Sequence, residues 1–224
     1  MIQLTDADHQ KVSAAIAAAE ATSNGEIVAV TTPISDPYHD VALHWAVAAM
    51  ILVLAWAAWR PTALTWWYDF LLGGWQADPT MSQLLTLLMV FAVLKFTVAL
   101  LILKWMPLRL ALTPGATKTR RVRRRALAIF KSAAERRTSG RTGILIYLSM
   151  AERRAEIIGD DAITRVTSPE TWGDAMTALL AEVKRGHVGD GIAAAIGQVG
   201  VVLAEHFPRT DGDVNEIPDK LIEL

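Results

Sequence analysis

Two long apolar runs joined by a short tryptophan-rich stretch, Ala42 to Met106, leave this chain few ways to fold. The first run, Ala42 to Trp59 (ALHWAVAAMILVLAWAAW), carries no formal charge. As a helix it rises about 27 Å, close to the hydrocarbon thickness of a bilayer. The second, Gln83 to Leu103, is interrupted only by Lys95. Both are apolar on all sides, and two such helices are hard to bury inside 224 residues. The pattern predicts a helical hairpin that crosses a membrane twice. Trp45 and Trp105 fall near its open end, and Trp56, Trp59, Trp66, Trp67 and Trp75 near its closed end. Indole rings prefer the headgroup level, so two aromatic belts are expected. Ala63–Leu72 is too short to span and reads as interfacial.

Charge gives the orientation. The turn holds Arg60 beside Asp69 and Asp78, whereas Lys104, Arg109, Lys118, Arg120, Arg121, Arg123, Arg124 and Arg125 follow the second run. The positive-inside rule puts that flank in the cytoplasm, and two spans return the chain to its starting side. Both termini are therefore expected to be cytoplasmic. The polar start MIQLTDADHQK gives no cleavable signal, so the first span would serve as the targeting signal. Lys95 lies mid-span, where a charge costs about 2.5–3.5 kcal/mol. An ion path or a helix-partner contact is one reading; a lysine that snorkels or faces a neighbouring subunit is the simpler one.

The flanking residues read as two parts of one α/β domain, 1–41 and 107–208, interrupted by the hairpin 42–106 (spans about 42–59 and 83–103). A polar tail follows, 209–224. Net charge is −1, with basic residues crowded into 104–137 and acidic ones into the tail. There is no cysteine, which excludes disulfides, thiol nucleophiles and cysteine-based zinc sites.

In chain order, residues 5–23 form a helix that Thr5 or Asp6 can cap, with Val12, Ile16 and Ala19 as its apolar stripe. Glu26 to Thr32 (EIVAVTT) is a buried strand. Leu108–Leu112 has the alternation of a short edge strand. Residues 117–138 form a helix that buries Ala126, Leu127, Ile129, Phe130 and Ala133 and ends at Thr138-Ser139-Gly140. Gly143–Ser149 (GILIYLS) is the strongest strand signal. The link Met150–Arg153 allows only an antiparallel partner, Arg154–Ile158. Thr167 or Ser168 caps a helix that contains Pro169 and runs to about Arg185. A last helix runs from Gly189 to His206, with Asp190 a candidate cap. The result is a mixed sheet covered by helices. Strands 26–32 and 143–149 are parallel, because their crossover includes helix 117–138.

At these residues the chain resembles the TPM domain family. The likeness lies in the order of RTG, GILIYLS, AERR, AEIIGDD and GDGIAAAIGQVGVVLAEHFP, with RLALTP after the hairpin and NEIPD near the end. It resembles in particular the bacterial membrane subgroup that carries a hairpin after the first strand. The resemblance implies an α/β, TPM-like mixed-sheet sandwich of Rossmann-like appearance, in a bacterial inner membrane as a multi-pass protein. Some members are credited with acid phosphatase activity and metal binding at an acidic surface. Others assemble or repair membrane complexes or act as auxiliary subunits. Many TPM domains carry Asp-Asn-Gly before the central strand. Here Arg141-Thr142-Gly143 replaces it, which weakens a metal or phosphatase site at that turn.

Of the candidate sites, Asp160 and Asp161 stand at a strand end, with Glu26 nearby. Paired carboxylates suit a hard cation such as Ca²⁺ or Mg²⁺; the alternative is an exposed turn paired to Arg141. Glu26, Arg141, Asp160 and Asp161 are expected at one end of the sheet, and Asp36, Ser149, Glu152 and Arg153 at the other. Glu152-Arg153-Arg154 can bind a partner or simply be solvated. Gly186–Gly191 does not match G-x-G-x-x-G and follows no strand, so it is read as a connection between helices. No HExxH or G-x-S-x-G pattern occurs, and no catalytic residue can be named. The basic flank 118–125 is better matched to anionic lipid headgroups than to nucleic acid. A partner-binding role on a membrane protein or complex is expected first, and a metal-dependent phosphatase second.

Overall fold

The computed structural model describes residues 4–72, 78–133, 142–210 and 216–224. EIVAVTT and GILIYLS form β1 (Glu26–Thr32) and β2 (Gly143–Ser149), each buried along its whole length. They run parallel, with Glu26 opposite Gly143 and Thr32 opposite Ser149. Central parallel strands are covered on both faces, so they read as unbroken apolar runs rather than as alternating ones. β3 (Arg154–Gly159) returns antiparallel to β2 through the tight turn, where Arg153 adopts a left-handed φ of 52°. The sheet order is β3-β2-β1-β4.

The segment read as a polar tail also contributes a strand, β4 (Leu221–Glu223). It pairs parallel to β1, with Ala29 opposite Leu221 and Thr31 opposite Glu223. Leu221 and Ile217 are both buried. Three residues that follow a charged pair, Asp219-Lys220, give no periodic signal, and the pairing exists only because β1 offers an edge.

The chain divides into two compact units, residues 1–36 with 115–224, and residues 37–114. In the first, α1 (Asp6–Glu20), α8 (Gly173–Arg185) and α9 (Val188–His206) supply one core. Val12, Ile16, Leu179, Ile192, Ile196 and Leu203 pack there with Ile27, Ala29, Ile144 and Ile146. The opposite sheet face, Val28, Val30, Leu145 and Tyr147, packs against Val122, Ala126, Ile129 and Phe130 of α6 (Gly115–Ala133). The unit is thus an α/β sandwich, and strand period 2 divides each strand between the two cores. Thr5 caps α1 in a reciprocal box with Asp8.

Several expected boundaries shift. Leu127 is exposed, because the buried positions 122, 126, 129 and 130 place it on the far side of α6. The expected end of that helix lies outside the described residues. A short helix, α7 (Asp161–Val166), follows β3 where only a turn was expected. The helix expected from Pro169 begins instead as a 3-10 turn, Pro169–Trp172, and continues as α8. Asp190 caps nothing; it lies within α9 and pairs with Lys11 at 2.6 Å. Gly200 lets α9 approach α1 closely, since a Cβ there would lie 2.7 Å from Ala19 Cβ.

The second unit holds α2 (His39–Trp59), α3 (Pro61–Leu72), α4 (Met81–Ile102) and α5 (Met106–Ala111). α2 and α4 pack along each other, and α3 meets α4 through Trp67 and Phe91, 5.8 Å apart. α5 replaces the expected edge strand at Leu108–Leu112. Its alternation fits either period over so few residues, and Pro107 in the first turn favours the helix. Arg109, counted with the basic flank, is buried here and donates to Leu103 O at 2.8 Å and Pro37 O at 2.7 Å. Among the described residues three helices are long and apolar enough to cross a membrane: α2, α4 and α9. α9 differs from the other two, because half of it is buried within the first unit's own core.

Candidate functional site

The sheet's amino end, where β1 and β2 begin, gathers carboxylates. Glu26 opens β1, and its backbone N–H donates to Thr142 O at 3.2 Å. Asp160 follows β3, and its N–H donates to Gly143 O at 2.9 Å. Glu20 ends α1 and is buried beside β1, accepting from the Ile27 N–H at 2.8 Å. Asp219 precedes β4 and shares a hydrogen bond with the Glu20 carboxyl.

Each carboxylate has a different use. Glu26 is 5% exposed and accepts from two backbone groups of the C-terminal segment, Glu216 N–H at 3.3 Å and Ile217 N–H at 3.1 Å. It therefore fastens that segment to the sheet. Asp160, also 5% exposed, caps α7: its Oδ1 accepts from Asp161 N–H at 2.6 Å. Its Oδ2 is buried and has no hydrogen-bond partner among the described residues. Asp161 is exposed in the first turn of α7. Burial pushes the Glu20 carboxyl up to about 8, and the nearby Glu26 and Asp219 charges push the same way against the Ile27 hydrogen bond. At neutral pH Glu20 thus holds a proton, which it can donate in its hydrogen bond with Asp219.

Asp160 and Glu26, which the sequence placed at one end, do lie there. Among the described residues no three Asp, Glu or His side chains are grouped to hold a metal ion. Arg141, the expected partner of Asp160 or Asp161, lies outside the described residues. Glu20 and Asp219 were not among the expected site residues. Glu20 had a signal: it stands four residues after Ile16, on the buried stripe of α1, where a carboxyl must lose its water. Asp219 had none, because its position depends on the pairing of β4.

The carboxyl end of the sheet forms a second polar cluster. Ser149 Oγ donates to Glu152 Oε2, and Glu152 Oε1 accepts from Ser35 N–H at 2.9 Å. Ser35 Oγ lies 2.9 Å from the Tyr147 hydroxyl, and Asp36 pairs with Arg121 at 2.7 Å. Burial raises the Tyr147 hydroxyl above its ordinary range. Asp36, Ser149 and Glu152 gather as expected. The hydrogen bonds of Glu152 close the β2–β3 turn onto the segment that follows β1.

This sheet, with helices on both faces and an acidic amino end, defines an α/β domain. Residues 109–202 match the family model described as the TPM domain. Among solved structures, the chain is similar to the NMR structure of the BA42 protein from the psychrophilic bacterium Bizionia argentinensis. The TM-score is 0.56 at 17% identity, over 99% of this chain and 95% of that one, a likeness of fold alone. No curated protein matches the chain in sequence.

Proposed function

We propose that this is a membrane-anchored TPM-domain protein whose cytoplasmic domain binds a membrane protein or complex and supports its assembly. The observation that carries the anchoring is the apolar surface of the second unit. Leu52, Met89, Val93 and Leu94 stand more than half exposed on α2 and α4. Only 22% of the apolar window of α2 and 11% of that of α4 is buried. Water opposes such a surface, at about 25 cal/mol for each Å², whereas a bilayer accepts it. The basic flank after α4 supports a bacterial inner-membrane, multi-pass arrangement with both termini cytoplasmic.

A second reading, a metal-dependent phosphatase at the acidic end, is favoured by one atom, the unpartnered Asp160 Oδ2. Against it, Glu26 is already committed to two backbone N–H groups and Glu20 holds a proton. The partner reading is therefore preferred.

Affinity capture of the full chain from detergent-solubilised membranes tests it, wild type against Asp160→Ala/Asp161→Ala. A reproducible membrane-protein partner is expected, and its loss in the variant would make the acidic end the contact surface. Capture of no partner, together with Mg²⁺- or Ca²⁺-dependent phosphate release, would replace this reading with the second.

A further inference from the structure

The basic run of α6 divides into two groups by helical position. Arg121 turns toward Asp36 and pairs with it at 2.7 Å, and Lys118 also has an interaction partner. Arg120, Arg123, Arg124 and Lys131 instead share the exposed side opposite Val122, Ala126, Ile129 and Phe130. Arg123 reaches Glu156 at 3.5 Å. Among the described residues Arg120, Arg124 and Lys131 have no acidic partner. Leu127 stands among these cations, 37% exposed, and with Ala116 and Ala128 it floors a shallow hollow of about 810 Å³.

We infer that this face of α6 is a docking surface for anionic phospholipid, with Arg120, Arg123, Arg124 and Lys131 on the headgroups and Leu127 entering the interface. This rests on the anchoring proposed above, which makes a lipid surface the anion at hand. Two features select lipid over a soluble anion. The cations spread along about three helical turns and do not converge on one point, which suits a plane of charges. An exposed leucine among them gains nothing from a soluble phosphate but gains burial at an acyl boundary. The residue set also departs from the sequence reading: Arg121 is drawn off to Asp36, and Lys131, outside the run 118–125, joins the face.

The chain has no cysteine, so a single introduced thiol reports one position. Leu127→Cys and, separately, Leu52→Cys are spin-labelled in the full chain and placed in nanodiscs of phosphatidylcholine alone or enriched in phosphatidylglycerol. The measurement is accessibility to a water-soluble nickel complex against oxygen. The Leu52 label is expected in hydrocarbon in both discs. The Leu127 label is expected to lose nickel accessibility only in the anionic discs, and to regain it on Arg120→Glu/Arg124→Glu/Lys131→Glu. Each basic residue near an anionic surface is worth roughly fivefold in attachment, so three reversals remove on the order of a hundredfold or more. A Leu127 label equally aqueous in both discs overturns the docking while leaving the anchoring intact. A water-exposed Leu52 label overturns the anchoring and the docking with it. Protection of Leu127 by duplex DNA, but not by anionic lipid, would assign the face to nucleic acid and overturn the proposal. The wild-type comparison of the two lipids needs no charge-reversed variant to fold.

Discussion

Replacing Glu20 by glutamine should flatten the chain's stability against pH in one defined window. In the unfolded chain this carboxyl titrates near 4.5, and in the folded chain near 8. Between those values the folded state keeps a proton that the unfolded state has released. Stability therefore falls as pH rises through the window and levels off above about 8. At about 1.36 kcal/mol for each pH unit, the interval sets an upper bound near 5 kcal/mol. Asp219 is half-exposed and lets water and counter-ions screen the site, so a loss of roughly 2 kcal/mol is expected. Glu20→Gln keeps an acceptor for the Ile27 N–H and offers Asp219 a donor, but does not titrate. Burial also raises Glu156, which gives the wild type further slope of the same sign, so the difference between the two proteins isolates Glu20. Denaturant unfolding of the full chain in detergent, from about pH 5 to 8.5, gives the curves. Hydrogen exchange of residues 216–224 localises the effect, since Glu26 and Asp219 hold that segment. Parallel wild-type and Glu20→Gln curves would refute the reasoning.

Three further outcomes follow from packing and exposure. Gly200→Ala forces α9 away from Ala19 and should destabilise the first unit by about 1–3 kcal/mol, read as a lower denaturation midpoint. Lys11→Ala breaks a 2.6 Å pair with Asp190, but both groups are exposed, so the denaturation midpoint should stay where it is in the wild type. Lys95→Leu should favour membrane insertion of α4 by about 2.5–3.5 kcal/mol, measured as the inserted fraction of a reporter fused after the span. An unchanged fraction would mean that Lys95 already reaches water or a partner.

Much of this architecture was legible in the chain alone, where a signal is local. EIVAVTT and GILIYLS appeared as strands with the observed bounds, because β-branched and aliphatic residues bounded by turn residues need no distant partner to be recognised. The four-residue link to β3 required an antiparallel neighbour, and the Thr5 cap marked the start of α1. The two long apolar helices followed from length and lack of charge. Tertiary structure decided what depends on a partner. β4 is a strand only because β1 leaves an edge for Leu221–Glu223. Leu108–Leu112 was ambiguous between periods, and became helical with the Arg109 guanidinium buried on the carbonyls of Leu103 and Pro37. Leu127 was read inward from its hydrophobicity, but α6 rotates to bury Val122 and leaves Leu127 among the arginines. The protonated Glu20 combines both kinds of information. Its place on a buried stripe is written in sequence, whereas the charge of Asp219 reaches it only once the C-terminal segment has folded back along β1.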